Sequence, residues 1–205
     1  TVRDLGIQMS PNLLFDKHVK SIILKAESRV NNIMRCFKCT EIQFLTKAFS
    51  TYVLPLLENA TEVWSLTTSG LQNNLEKVQR TFTRRVFHRA QMQETNYSER
   101  LAFLGLESLT YRRSVRDLVF LFKAVHGLVS FDISTSFTRS PLGRNLRNSH
   151  TLRLDLPFVI TSAKRSTFSS RAIPIWNKLS FETVNSESLE SFKSKIKKLP
   201  HSMFS

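Results

Sequence analysis

Glycine is scarce in this chain, with 5 among 205 residues, and tryptophan and tyrosine number only 2 and 3. So few glycines leave few positions for the tight turns of a β-sandwich or barrel, and the composition favours helices. No run of 18 apolar residues occurs, which excludes a membrane-spanning helix. Cysteine is confined to Cys36 and Cys39, a single C-x-x-C in RCFKC. Neither a second cysteine pair nor histidines at ligand spacing follow it, so a zinc site lacks its ligands. A redox motif would need a βαβ setting, also missing, and both residues read as reduced thiols of an intracellular protein. The N-terminus has neither an apolar leader nor an initiator Met, which leads us to expect a piece of a longer chain.

Catalytic motifs are missing too. There is no G-x-S-x-G, no H-E-x-x-H, no Gly-rich phosphate loop and no adjacent pair of aspartates. The five histidines (His18, His88, His126, His150, His201) are scattered, none at metal spacing from another. Asp16, Asp117, Asp132 and Asp155 show no helical or strand partnership. Phosphoryl transfer needs two metal-binding carboxylates close together, and no pair offers itself. The expectation is a chain without a complete active site and without a cofactor of its own.

What the sequence has is apolar residues and positive charge. Hydrophobic residues make up 41%, Phe alone 16, enough for a sizeable core. The net charge is +14 and the sequence pI about 10.3, pointing to nucleic acid or another anionic surface. Residues 1–70 carry 8 basic and 6 acidic groups, 71–127 carry 10 and 5, and 128–205 carry 12 and 5, so the excess grows along the chain.

The stretch Leu71–Ala90, LQNNLEKVQRTFTRRVFHRA, divides most sharply. Leu71, Leu75, Val78, Phe82 and Val86 form one apolar stripe at helical spacing. Lys77, Arg80, Arg84 and His88 fall opposite, flanked by Arg85 and Arg89, and Glu76 alone interrupts them. Cations in a row suit a polyanion, whose phosphates repeat and release counterions on neutralisation. The plainer reading is a solvated charged face, but such faces usually mix signs. Arg112, Arg113 and Arg116, one turn apart, read as a second outward basic stripe. Phe82, Phe87, Phe103, Phe120 and Phe122 lie in the same basic helices and could stack on bases, though this spacing more often marks core.

In chain order, Val2–Met9 reads as a strand and Ser10–Asn12 as a turn. Asp16 to about Met34 is an amphipathic helix with Asp16 as N-cap. Thr40 with Gln43 suggests a capping box opening a helix through Val53, which Pro55 ends or kinks before LLENATEVW. A loop at Thr67–Gly70 precedes the basic helix and a polar linker spans 91–96. Helices over Tyr97–Leu104, closed by Gly105, and over Leu109–Val125, closed by Gly127, complete a bundle. Beyond, 130–171 reads as irregular with strands at Phe158–Ile160 and Ser166–Arg171. A helical turn at Ala172–Leu179 is anchored by Trp176, and a basic helix covers Glu187–Leu199. The fold class is mainly α: a strand over 1–12, a helical bundle over 13–128 and a basic, mixed segment over 129–205, divided near 128–135.

Several of these stretches, in this order, resemble one family. VRDLGIQMSPNLLFDKHV, TKAFSTYVLPLLENATEVW, LEKVQRTFTRRVF and YSERLAFLGLESLTYRRSVRDLVFLFKAVHGLV are similar to the C-terminal portion of LINE-type reverse transcriptases. The nearest likeness is to jockey-like and chicken-repeat-like non-LTR retrotransposons. The tail RSTFSSRAIPIWNKLSFETVNSESLESFKSKIKKL is similar to the segment that ends many of those polymerases. The resemblance implies that Leu5 and Gly6 close the palm on its primer side, and that the helices from residue 16 form a thumb gripping a template–primer duplex of RNA and DNA. Family members usually carry an aromatic residue where this chain has Asp4. The catalytic aromatic-x-Asp-Asp would lie upstream of Thr1 with its magnesium, so no catalytic residue carries over. The other implied partner is the missing fingers and palm. The implied location is the nucleus or a cytoplasmic ribonucleoprotein. A second reading from the residues alone is a helical module binding an acidic protein, left by a truncated element. A helix-turn-helix regulator would want a shorter turn than 67–70 or 91–96 provide.

Overall fold

The computed structural model describes residues 2–11, 14–64, 68–130, 152–155 and 167–204. The chain is mainly helical, with a short two-stranded antiparallel sheet near the N-terminus. It divides into two compact units, Thr1–Ala60 with Leu66–Arg112, and Thr61–Ser65 with Arg113–Ser205. The division therefore falls between Arg112 and Arg113 instead of at 128–135.

The first unit opens with a hairpin where one strand was expected. β1 (Val2–Asp4) pairs with β2 (Ile7–Met9), Val2 opposite Met9 and Asp4 opposite Ile7. The chain reverses at Leu5 and Gly6, at φ 45° and 87°. Gly6 takes this left-handed turn freely, whereas Leu5 carries a penalty of roughly 1–2 kcal/mol.

Helix α1 (Asp16–Cys36) buries Val19, Ile22, Ile23, Ala26, Val30 and Ile33, the stripe its periodicity gives. Its N-cap is Phe15, so Asp16 lies one residue inside, where a carboxylate suits the positive end of the helix dipole. Helix α2 (Ile42–Tyr52) starts after Glu41 with no side-chain cap, so Thr40 lies outside it and the expected capping box does not form. Val53 ends α2 by donating to Phe49 O at 2.9 Å. α3 (Leu54–Glu58) then restarts with Pro55 in its first turn, where a missing N–H leaves nothing unsatisfied.

Helix α4 (Ser69–Arg89) begins earlier than expected because Thr68 Oγ1 accepts from Leu71 N at 3.3 Å. Leu71, Leu75, Val78, Phe82 and Val86 are all buried, and Phe82 stacks on Phe49 with centroids 4.2 Å apart. Phe82 is thus core, as is Phe87 at 5% exposure. α5 (Tyr97–Leu104) is closed at both ends by its own residues, an Asn96–Glu99 capping box and Gly105 at φ 62°. α1 packs on α4, α2 and α3, and α5 packs on α4 and α2.

Helix α6 (Leu109–Val125) runs from the first unit into the second. Within the second unit it buries Arg113, Asp117, Leu118, Leu121, Phe122 and Ala124. Val115, Val119 and Val125 are only half-buried. The strand expected at Ser166–Arg171 is replaced by α7 (Phe168–Trp176), while Phe158–Ile160 lies outside the described residues. α8 (Phe181–Val184) and α9 (Leu189–Lys197) follow, and a 3-10 turn at His201–Phe204 comes last. Trp176 does anchor its segment: it is fully buried, and its Nε1 donates to Leu152 O at 2.9 Å. Phe192 of α9 stacks on Phe122 at 4.2 Å.

His18 makes the first unit sensitive to acid. It is buried at 8% exposure, and its Nδ1 accepts from Gln8 N at 3.4 Å, tying β2 to α1. Burial pushes the imidazole below its usual value, and Lys25 and Arg3 push the same way. A depressed folded value means the stabilising neutral form is fully present above the unfolded value of 6.5 and is lost as pH falls through the window below it. The urea midpoint should therefore fall between pH 7.5 and pH 5.5. His18→Gln, which cannot be protonated, should flatten that fall, and an equally steep fall in the variant would contradict this role.

Candidate nucleic-acid interface

The outer face of α4 starts from helical spacing. Lys77, Arg80, Arg84 and His88, separated by three, four and four residues, are all exposed. One turn rises about 5.4 Å, so the three cations and the imidazole stand in a row over roughly 16 Å. The side chains of Lys77, Arg84 and His88 make no hydrogen bond or ion pair among the described residues. The Arg80 guanidinium lies over the Tyr97 ring, 5.0 Å from its centroid, which holds it in place without consuming its charge.

The acid that interrupts this stretch in sequence does not interrupt the surface. Glu76 is 8% exposed. Its carboxylate accepts from Tyr97 Oη at 2.5 Å and from the N–H groups of Leu109 and Thr110 at 3.3 and 3.4 Å. The two amides belong to the first turn of α6, whose N–H groups have no partner within the helix. Gln79, fully buried on the next turn, donates to Tyr97 Oη at 3.2 Å and to Glu107 O at 2.9 Å. Burial and the adjacent carboxylate push the Tyr97 phenol far above its usual value, so it stays a donor.

The flanking arginines are structural. Arg85 donates to Asn31 Oδ1 at 2.6 Å, and Arg89 donates to the Met34 and Phe37 carbonyls at the end of α1. Cations there satisfy carbonyls the helix leaves open and oppose its negative end. These contacts join the last turns of both helices, so α1 and α4 run side by side in the same direction.

The three α6 arginines expected to face outward all have internal partners. Arg112 makes a bidentate pair with Glu58, its Nη2 3.0 Å from Oε2, and the attraction pushes its pKa up. Arg116 pairs with Glu62 at 3.3 Å. Arg113 is 9% exposed, its guanidinium 4.2 Å from the centroid of the fully buried Trp64. Burial lowers its pKa to about 9, with Arg171 acting the same way and Asp117 and Glu62 against. Asp117, without partner in the sequence reading, takes Arg171 Nε and Nη2 at 3.0 and 3.2 Å. Leu5 and Gly6 form the hairpin turn, with Leu5 93% exposed.

Among the described residues no group of three or more His, Cys, Asp or Glu could hold a metal ion, and no helix is long and apolar enough to cross a membrane. Cys36 and Cys39 are free and exposed.

Sequence reasoning missed Glu76, Gln79, Tyr97 and Arg100. The available signal was that Glu76 and Gln79 sit one turn apart beside the apolar stripe, where polar side chains face a neighbour and not water. Replacing Glu76 by Ala strands Tyr97 Oη and two helix amides, each loss worth about 1–3 kcal/mol. The expected result is a destabilisation of at least about 2 kcal/mol in urea unfolding. Glu76→Gln, which keeps one acceptor oxygen, should recover part of it. A stability change under about 0.5 kcal/mol in Glu76→Ala would show that the carboxylate organises nothing.

No protein-family model and no solved structure matches the chain. It is similar to an uncharacterized protein of Caenorhabditis elegans, 30% identical over 129 residues, which is 63% of this chain and 63% of that protein.

Proposed function

We propose that the chain is the C-terminal part of a LINE-type reverse transcriptase, comprising the end of the palm, the thumb and the tail. Its task would be to grip a template–primer duplex of RNA and DNA by its backbone through the outer face of α4. The observation that carries this reading is the row Lys77, Arg80, Arg84 and His88, exposed and free of acid because Glu76 is buried. Contacts to phosphates position a protein without reading bases, so binding should be nearly sequence-independent. On this reading polymerisation, with its magnesium, belongs to the fingers and palm of the whole polymerase and not to the residues of α4. The reading puts the chain in the nucleus or in a cytoplasmic ribonucleoprotein. Arg112, Arg113 and Arg116, tied to Glu58, Trp64 and Glu62, contribute stability in place of phosphate contacts.

The resemblance in LPLLENATEVW, LEKVQRTFTRR and YSERLAFLGLESLTYRR supports the family. A second reading, a helical module that binds protein, is favoured by one feature: a hollow of about 680 Å³ beside Ile42, Thr46, Lys47 and Leu104. Its lining includes Phe103, 58% exposed.

Binding to a short RNA–DNA duplex, titrated with salt, separates the two. Log K should fall against log salt with a slope near −0.9 per phosphate neutralised. A Lys77→Ala, Arg80→Ala, Arg84→Ala triple variant should flatten the slope by roughly 2–3, whereas Arg112→Ala should lower stability and leave the slope. A slope unchanged in the triple variant, with binding to an acidic peptide instead, would favour the second reading.

A further inference from the structure

At the C-terminal end of α4 the cationic row runs into a hollow of about 340 Å³. Arg84, Arg85, His88, Arg89 and Arg100 give it cationic walls, and Met34, Phe87 and Met92 give it apolar surface. Glu94 is the one acid in that lining. We infer that this hollow receives a single unpaired nucleotide at the end of a bound strand, its base on the apolar surface and its phosphate on Arg84 and His88. The inference rests on the duplex reading for the source of the nucleotide.

Size and chemistry both select this class of ligand. About 340 Å³ is at the small end of the roughly 300–1,000 Å³ of ligand pockets, room for one nucleotide and not for a base pair. An inorganic anion would leave Met34, Phe87 and Met92 unused, and an apolar ligand would leave four arginines unused. A nucleotide presents a flat ring and an anion side by side. Its base can lie against apolar side chains or guanidinium planes, as bases of single strands do.

The walls are set before any ligand arrives. Arg100 Nε donates to Thr83 Oγ1 at 3.3 Å and its Nη1 to Thr95 O, while Asn31 holds Arg85 and the end of α1 holds Arg89. Each guanidinium has five N–H donors, so one or two fixed bonds leave donors to spare. The side chains of Arg84 and His88 make no hydrogen bond or ion pair among the described residues and can meet the phosphate. They are also the last two members of the row from Lys77, so a backbone followed along α4 delivers its next nucleotide here. Glu94 opposes an anion, so its neutralisation should tighten the site.

The test compares a blunt RNA–DNA duplex with the same duplex carrying a one-nucleotide 2-aminopurine overhang, and with free 2-aminopurine ribonucleoside monophosphate, all on the full chain. Base stacking of this kind predicts overhang binding about fivefold or more tighter than blunt, with the fluorophore quenched. Met92→Glu, which puts a carboxylate into the hollow beside Arg84, should abolish the overhang-to-blunt ratio and weaken blunt binding only modestly. Glu94→Gln, an exposed position, should raise that ratio and keeps the test alive if Met92→Glu fails to fold. Equal overhang and blunt affinity with a steep salt slope would overturn the pocket and leave the duplex reading standing. Free nucleotide bound and quenched, with no duplex bound, would support the hollow as a nucleotide site and overturn the strand-end source along with the duplex reading. Silence in all three arms would overturn both.

Discussion

One buried carboxylate organises the first unit. Glu76 leaves α4 to accept the Tyr97 hydroxyl of α5 and two amides of the first turn of α6. A carboxylate at a helix N-terminus meets the positive end of the dipole and the N–H groups that helix cannot satisfy itself. Three donors, two of them backbone, replace the water that burial removes. The arrangement has a second consequence. By drawing the one acid of this stretch inward, it leaves the outer face of α4 without a carboxylate.

The arginines of α4 and α6 are sorted by what lies under them. Those on α4's outer face, Arg80 and Arg84, have solvent or an aromatic ring beneath them and no acid against them. Those of α6 sit above Glu58, Trp64 and Glu62, which already use their charge. Arg113 shows how far this goes: buried against Trp64, its pKa falls to about 9, yet it remains a cation at neutral pH. The half-exposed Arg112–Glu58 and Arg116–Glu62 pairs contribute modestly, as partly solvated pairs do. The buried Asp117–Arg171 pair is different, because removing either member would leave a charge without compensation.

Periodicity made most of the helical architecture legible in advance. The stripes of α1 and α4 are buried residue for residue, and Gly105 and Gly127 close their helices at positive φ. The exposure of Lys77, Arg80, Arg84 and His88 was legible for the same reason. What stayed hidden depends on partners distant in sequence. Arg113 and Asp117 read as surface because Trp64 and Arg171 lie far along the chain. Glu76 read as an interruption because its three donors come from residues 97, 109 and 110. The hairpin was misread as one strand because a single glycine within eight residues does not announce a turn whose other residue is leucine. A division placed by composition near 128–135 missed α6, a continuous helix whose residues belong to two packed units.

The cations on the outer face of α4 lie open to solvent, whereas the arginines of α6 are held by Glu58, Trp64 and Glu62. Arginine-selective dicarbonyl modification, followed by peptide mapping with and without an RNA–DNA duplex, tests this contrast most directly. Arg80 and Arg84 should react fast in the free protein and be protected by the duplex, while Arg112 and Arg113 react slowly in both. Protection of Arg112 and Arg113 by the duplex, with Arg80 and Arg84 unchanged, would contradict the claim.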